Sequence, residues 1–136
     1  DIIAEQIRAA AGEPLGITQS EVDLRGYAVE CRINAGAPGT VTHYQPPGGF
    51  GVRVDGFLHD GAIVPPFYDS LVAKLIVYGR DREEGLARMD RALAEFEIEG
   101  IPTNIARQRD IINSRVFHGG RFGTDVLNTI KKELEA

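Results

Sequence analysis

The sequence has no tryptophan, one methionine and one cysteine among its 136 residues. With Cys31 alone, an internal disulfide cannot form, and we expect a small buried thiol in a reducing, cytoplasmic compartment. No apolar run approaches the roughly 20 residues of a membrane span, and no signal peptide is visible. Acidic residues outnumber lysine and arginine by 20 to 15, which disfavours nucleic acid or an anionic membrane as a partner.

Most signatures of catalysis are also missing. The glycine-rich run Gly48-Gly-Phe-Gly51 lacks a following helix start that would bind a phosphate, so it predicts a hairpin turn. His43, His59 and His118 lack the spacing of metal ligands. A Gly-x-Ser-x-Gly nucleophile elbow is absent. These absences disfavour a serine hydrolase or a zinc protein and leave no metal site expected.

The order of the remaining patterns is helix, then short strands, then helices. This order predicts an α+β fold, in which an antiparallel sheet of short strands and hairpins is covered by helices, in a single domain over residues 1–136. The predicted helices begin at the caps Asp1, Asp81 (with Glu84 as a capping box), Thr103 and Thr124. The predicted strands are 26–34, 40–45, 50–55, 62–64 and 71–78, the last so apolar that we expect it at the centre of the sheet.

The strand 26–34 alternates cleanly between apolar and polar residues. Its apolar side should face a core, and its other side carries Ala28, Glu30, Arg32 and Asn34. A cation in the middle of such a face is either a solvated surface arginine or a fixed positive charge aimed at a ligand. The pattern alone leaves both interpretations open.

A second candidate is Val64-Pro-Pro-Phe-Tyr-Asp-Ser70, directly before the central strand. The double proline and the aromatic pair fix Asp69 near the end of the sheet. Asp69 either caps backbone in a turn or reaches Arg32, where its carboxylate would orient the guanidinium through charge-assisted hydrogen bonds.

Several segments, taken in order, resemble the C-terminal domain of biotin carboxylase. They are Arg25-Gly-Tyr-Ala-Val-Glu-Cys-Arg-Ile-Asn-Ala35, Pro46-Pro-Gly-Gly-Phe-Gly-Val-Arg53, the Val64–Ser70 segment, Lys74-Leu-Ile-Val-Tyr-Gly79, Ala87-Arg-Met-Asp-Arg-Ala-Leu93 and Ile98-Glu-Gly-Ile-Pro-Thr-Asn104. The motifs are most similar to the biotin carboxylase of bacterial acetyl-CoA carboxylase, an enzyme of fatty acid biosynthesis. Propionyl-CoA and pyruvate carboxylases share the domain.

The resemblance implies roles for individual residues. Arg32 matches the arginine that binds biotin and stabilises its enolate, and Asp69 matches the nearby acid. Glu30, Asn34 and Tyr68 would support this pair. Phe50 and Arg53 match positions in the family's homodimer interface, and the pattern places them on opposite faces of their strand.

The resemblance also implies cofactors and partners. The family carboxylates biotin on a biotin carboxyl carrier protein with ATP and bicarbonate, alongside a carboxyltransferase. The ligands of ATP and Mg²⁺ and the general base belong to an ATP-grasp region that would precede this chain, so we expect an inactive fragment without cofactors of its own. The loop after Ala35 is shorter than the family's.

Two other functions stay open. The domain could be chiefly a non-catalytic dimerisation module, built on Phe50 and Arg53. It could also be a stand-alone binder of a carboxylated small molecule.

Overall fold

The computed structural model describes residues 1–134, and within them the chain forms five α-helices, a short 3₁₀ helix and seven strands. The helices are α1 (Ile2–Ala10), α2 (Arg82–Glu95), α3 (Ile105–Asn113), α4 (Arg115–Gly119) and α5 (Val126–Leu134), with the 3₁₀ helix at Gln19–Glu21. The strands are β1 (Tyr27–Asn34), β2 (Gly39–Thr40), β3 (His43–Gln45), β4 (Val52–Gly56), β5 (Ile63–Val64), β6 (Leu71–Gly79) and β7 (Glu97–Glu99).

Strand β6 is the centre of the main sheet, whose order is β1-β6-β4 with both pairs antiparallel. Leu75 is fully buried and lies opposite Cys31 on one side and Val54 on the other. The predicted central position of this strand is confirmed. A central position stabilises an apolar strand most, because pairing on both edges removes its side chains and its backbone from water together.

The other strands form two small antiparallel pairs, β2 with β5 and β3 with β7. The predicted α+β class with antiparallel pairing is confirmed. The predicted hairpins are not found among the described strands, since each pair joins strands that are not neighbours in sequence. Turn residues indicate where the chain reverses, whereas the partner of each strand is chosen by burial.

The stretch predicted as one strand over 40–45 is divided in two. The buried Val41 donates its N–H to Ala62 O (2.9 Å), and the next residue, Thr42, donates to Glu99 O (2.9 Å). The chain therefore changes partner within two residues, and β2 and β3 belong to different pairs.

The core lies between one face of the main sheet and helix α2, which packs across β6 and β1. The largest fully buried side chains include Ile33 and Leu75 from the sheet and Leu86, Met89 and Leu93 from α2. The opposite face of the sheet is exposed at Ala28, Glu30, Arg32, Arg53 and Tyr78. This exposed face carries the candidate site.

Helix starts follow the predicted caps only in part. Asp1 accepts from Ala4 N (3.1 Å) and Asp81 from Glu84 N (2.9 Å), as predicted. The reciprocal bond of the predicted capping box is wrong, because Glu84 Oε2 accepts from Arg80 N instead (2.7 Å).

The later helices begin one or two residues beyond the predicted caps. Asn104, and not Thr103, occupies the N-cap of α3, and α5 starts at Val126. Helix α3 ends at Asn113, and Ser114 then caps the separate helix α4.

Candidate functional site

Arg32 stands on the exposed face of β1, with 57% of its side chain accessible. Its Nη2 atom lies 3.6 Å from Asp69 Oδ2, which makes an ion pair that is longer than a hydrogen bond. The other oxygen, Asp69 Oδ1, accepts from Ser70 N at 2.7 Å. Both interpretations of the Asp69 motif therefore hold, because Asp69 accepts a hydrogen bond from the adjacent backbone and also pairs with Arg32.

The loop that carries Asp69 is tied to the end of β1. Asn34 donates from Nδ2 to Ser70 Oγ (2.8 Å), and Ala35 N donates to Ser70 O (2.8 Å). Arg32, Asn34 and Asp69 are thus brought together by the structure.

Two other predicted residues lie apart from this cluster. Glu30 shares the exposed face but is opposite Ile76, and Tyr68 is 83% exposed. Within residues 1–134, neither has a hydrogen bond or ion pair to Arg32. Tyr68 instead lines a surface cleft of about 580 Å³ beside Asp69, with Phe57 and Pro65 among its apolar walls.

Lys74 is a residue of the site that sequence reasoning missed. On β6 it lies directly opposite Arg32, and on its other side it is opposite Asp55. Side chains opposite each other in an antiparallel pair have Cβ atoms about 5 Å apart. The sequence feature that could have identified Lys74 is its position as a single lysine in an otherwise apolar strand. Two neighbouring cations on an open face favour an anionic or electron-rich ligand oxygen.

Asn104 and Gln108 were also missed, and they hold the backbone of β1. Asn104 Nδ2 donates to Arg32 O (3.1 Å), and Gln108 Nε2 donates to the same oxygen (3.2 Å). Asn104 Oδ1 accepts the backbone N–H of Asn34 at 2.8 Å. No residue pattern along the chain indicated these contacts, because they join segments about seventy positions apart.

Phe50, one of the two predicted interface residues, is 87% exposed in the turn before β4. The predicted strand over 50–55 and the opposite-face arrangement with Arg53 are therefore wrong at this residue. Gly49 and Gly51 take positive φ values, which turn the chain here. The Arg88 guanidinium lies 5.6 Å from the centre of the Phe50 ring.

Arg53, the other predicted interface residue, extends from β4 and pairs with its neighbour on the same face. Its Nε atom donates to Asp55 Oδ1 at 2.8 Å. This hydrogen bond lowers the pKa of the Asp55 carboxyl and raises that of Arg53, and the charge of Lys74 lowers the pKa of Asp55 further.

Cys31 points into the core and is 4% exposed. Burial, with a contribution from the charge of Glu30, raises the pKa of its thiol to about 12. The predicted burial of this thiol is confirmed.

Metal ligands and membrane-spanning helices can be assessed for residues 1–134. In this range, no three His, Cys, Asp or Glu side chains cluster in a way that could hold a metal ion. None of its helices has the length and apolar character that crossing a bilayer requires.

Comparison with known proteins gives consistent matches. A family model described as the biotin carboxylase C-terminal domain matches residues 30–129. Biotin carboxylase 1 of Bacillus subtilis is 46% identical over 137 residues, which cover 95% of this chain and 30% of the relative. Biotin carboxylase of Pseudomonas aeruginosa is 50% identical over 127 residues, which cover 88% of this chain and 28% of the relative.

A solved structure agrees in fold. It is the biotin carboxylase domain dimer of Hydrogenobacter thermophilus 2-oxoglutarate carboxylase, determined with MgADP, ADP and bicarbonate. The TM-score is 0.88 at 41% identity, covering 95% of this chain and 30% of that chain. The chain thus spans less than a third of the length of the relatives that it matches.

Proposed function

Because the chain belongs to the biotin carboxylase C-terminal domain family, we propose that Arg32 is the cation that meets the ureido oxygen of biotin. The observation that carries the proposal is geometric. A permanent cation stands on a rigid strand, more than half exposed, with a carboxylate 3.6 Å away and a lysine on the neighbouring strand. Asn34 supports the site by holding the loop that carries Asp69.

The chemistry needs such a cation. When a ureido nitrogen of biotin loses its proton, negative charge develops on the ureido carbonyl oxygen. A guanidinium that is already in place stabilises this charge without reorganisation, and it cannot lose its own proton. Arg32 lowers the barrier by binding the charge that develops, and Asp69 attracts the guanidinium from 3.6 Å without a hydrogen bond.

We assign the rest of the reaction to a longer parent protein. In this proposal, residues 1–136 form one domain of a cytoplasmic, ATP-dependent carboxylase that acts on biotin held by a carrier protein and passes the carboxyl group to a carboxyltransferase. ATP, Mg²⁺ and bicarbonate would be bound outside this chain, so no step of ATP chemistry is assigned to its residues. The motifs favour an acetyl-CoA carboxylase parent in fatty acid biosynthesis, which assay of the acyl acceptor would test.

The test of Arg32 is made in the parent enzyme. Replacing Arg32 by alanine should lower kcat for biotin carboxylation by about 10²–10³, as for removal of an oxyanion-hole donor. Arg121→Ala is the matched control, since Arg121 is an exposed arginine outside the site, and it should leave kcat unchanged. Near-normal turnover of Arg32→Ala would reject the proposal.

A second function, a dimer surface, is favoured by the exposure of Phe50. An aromatic side chain that is 87% exposed, three positions before an exposed arginine, is typical of an interface anchor. The guanidinium of Arg88 lies against the Phe50 ring, which limits the entropy lost on association. We propose that Phe50 and Arg53 contact a second copy of the chain, in addition to the role of Arg32.

Sedimentation of the parent enzyme tests this surface. Arg53→Glu and Phe50→Ser should each shift a dimer toward monomer, because each places an unfavourable group in the buried centre of the contact. Arg121→Glu makes the same charge change elsewhere and should leave the dimer intact. If both interface variants stay dimeric, the contact lies on another surface.

A further inference from the structure

The outer edge of β1 is bonded by side chains and by a short backbone bridge between Ala35 and Thr103, and no described strand pairs with it there. β1 lies at the edge of the main sheet, where backbone N–H and C=O groups are normally left to water. Here the C=O of Arg32 and both the N–H and the C=O of Asn34 are paired with Asn104. Its Nδ2 donates to Arg32 O (3.1 Å), its Oδ1 accepts from Asn34 N (2.8 Å), and its backbone N donates to Asn34 O (3.2 Å). One asparagine thus supplies the bonds of a missing strand.

Gln108 adds a second donor to the same carbonyl. It lies one turn further along α3, and its Nε2 reaches Arg32 O at 3.2 Å. Helix α3 is itself fixed to α2, because Asp90 accepts from Arg109 Nε (3.0 Å) and from Asn113 Nδ2 (2.7 Å). A continuous set of hydrogen bonds therefore runs from the helix layer to the backbone of Arg32.

Asn104 makes these bonds in place of its usual local one. An asparagine at the N-cap normally accepts from a backbone N–H in the first turn of its helix. Here the side chain makes no such bond, although Asn104 is the N-cap of α3. A residue that gives up a local bond for a contact about seventy positions away is typical of a functional constraint.

We propose that Asn104 and Gln108 are positioning residues for Arg32. The proposal rests on the proposed role of Arg32 and goes beyond it. The contact of Arg32 with Asp69, at 3.6 Å, is too long to fix the guanidinium by a hydrogen bond. The backbone from which the cation extends is held by two amide donors on the Arg32 carbonyl oxygen and by the bonded N–H of Asn34, which fixes the origin of the side chain.

Three variants of the parent enzyme separate positioning from stability. Asn104→Asp keeps an acceptor for Asn34 N–H and can cap α3, but it cannot donate to Arg32 O. Asn104→Ser caps a helix as well as asparagine does, but it is too short to reach β1. Gln108→Leu removes the second donor and keeps the size of the side chain. Asn128→Ser is the matched control, because it removes an amide at an exposed position of α5 that makes none of these hydrogen bonds.

The readouts are steady-state kinetics and backbone hydrogen exchange. A catalytic group displaced by about 1 Å can cost on the order of 10²-fold in rate, so we expect kcat for biotin carboxylation to fall about 10- to 100-fold in each variant of Asn104 and Gln108. The KM for ATP should stay within about twofold. Asn128→Ser should retain normal kcat. Exchange at the amide of Asn34 should speed up in Asn104→Ser and stay slow in Asn104→Asp, which retains the acceptor.

The outcomes of the two proposals are distinguishable. If Arg32→Ala is impaired while Asn104→Asp and Gln108→Leu keep kcat within twofold, positioning is refuted and the role of Arg32 stands. If Arg32→Ala turns over normally, the role of Arg32 itself is refuted. Should an Asn104 variant fail to fold, Gln108→Leu decides alone, since Gln108 contributes one bond to the edge of β1. Equal loss of kcat in Asn128→Ser would show that any loss of an amide lowers kcat, and it would reject the proposal.

Discussion

The ion pair between Arg32 and Asp69 gives a quantitative prediction for Asp69→Asn. Asparagine has the size of aspartate and can still accept from Ser70 N, so the substitution removes the charge and little else. The two charged atoms are 3.6 Å apart, and the side chains are 57% and 73% exposed. This is the geometry of a solvated surface pair.

The size of the effect follows from that geometry. At this distance the Coulomb energy in water is about 1 kcal/mol, and exposed ion pairs contribute about 0–1 kcal/mol when measured. Since 1.4 kcal/mol is a factor of ten, the loss of the pair should lower kcat by about two- to fivefold. Removal of Arg32 itself should cost about 10²–10³. Asp69 is thus expected to make a small contribution to kcat, whereas Arg32 makes a large one.

The assay is the initial rate of biotin carboxylation by the parent enzyme at saturating ATP and bicarbonate. Asp125→Asn is the matched control, since Asp125 is an exposed aspartate outside the site. Raising the salt concentration should shrink the difference between the wild type and Asp69→Asn, because added ions screen an exposed pair. A loss of 10² or more in Asp69→Asn, equal to that of Arg32→Ala, would refute the argument from distance and exposure.

Two predictions concern groups outside the exposed face. With its pKa raised to about 12, the thiolate fraction of Cys31 should be roughly 10⁻⁴ at pH 8. Iodoacetamide should therefore label Cys31 rapidly only after denaturation. Rapid labelling of the folded protein would contradict the burial of this thiol. Asp90→Asn should lower the free energy of unfolding by about 0.5–1 kcal/mol at pH 7, since Asp90 joins α3 to α2 through partly exposed partners. The Arg109 hydrogen bond lowers the pKa of the Asp90 carboxyl in the folded protein. The stabilisation by Asp90 is therefore present above its unfolded pKa and is lost as the pH falls through its folded pKa. The unfolding free energies of the wild type and Asp90→Asn should converge at low pH, and a difference that stays constant with pH would argue against the ionic contribution.

The parts of the fold that local pattern determines were predictable. The alternation over 26–34 assigned the faces of β1, because successive side chains of a strand point to opposite sides wherever the strand pairs. The two apolar faces of 71–78 indicated a central strand for a similar reason. The pair formed by Arg32 and Asp69 was within reach of the sequence because each residue stood in a motif that resembled a known family.

The remaining features depend on contacts between distant segments. Nothing near Asn104 indicates that its side chain turns away from its own helix toward β1, because the competing donor is the N–H of Asn34 and the competing acceptor is the carbonyl of Arg32. Phe50 continued an alternating pattern, yet the positive φ angles of the glycines on both sides placed it in a turn. A distant contact overrode local propensity at Asn104, whereas at Phe50 the flanking glycines overrode the alternating pattern.

The side-chain closure of the β1 edge also has a consequence for the biosynthesis of the protein. Arg32 and Asn104 are 72 positions apart, and Gln108 is 76 positions from Arg32. A chain made from its N-terminus exposes the arginine strand well before the central strand β6, and the residues that fix its edge follow later still. Such long-range pairings fold slowly, because the entropy of a large loop must be lost before any contact is gained. Assembly of the site should therefore be among the last events of folding, and a ribosome stalled before Gln108 would hold a chain whose Arg32 has no fixed position.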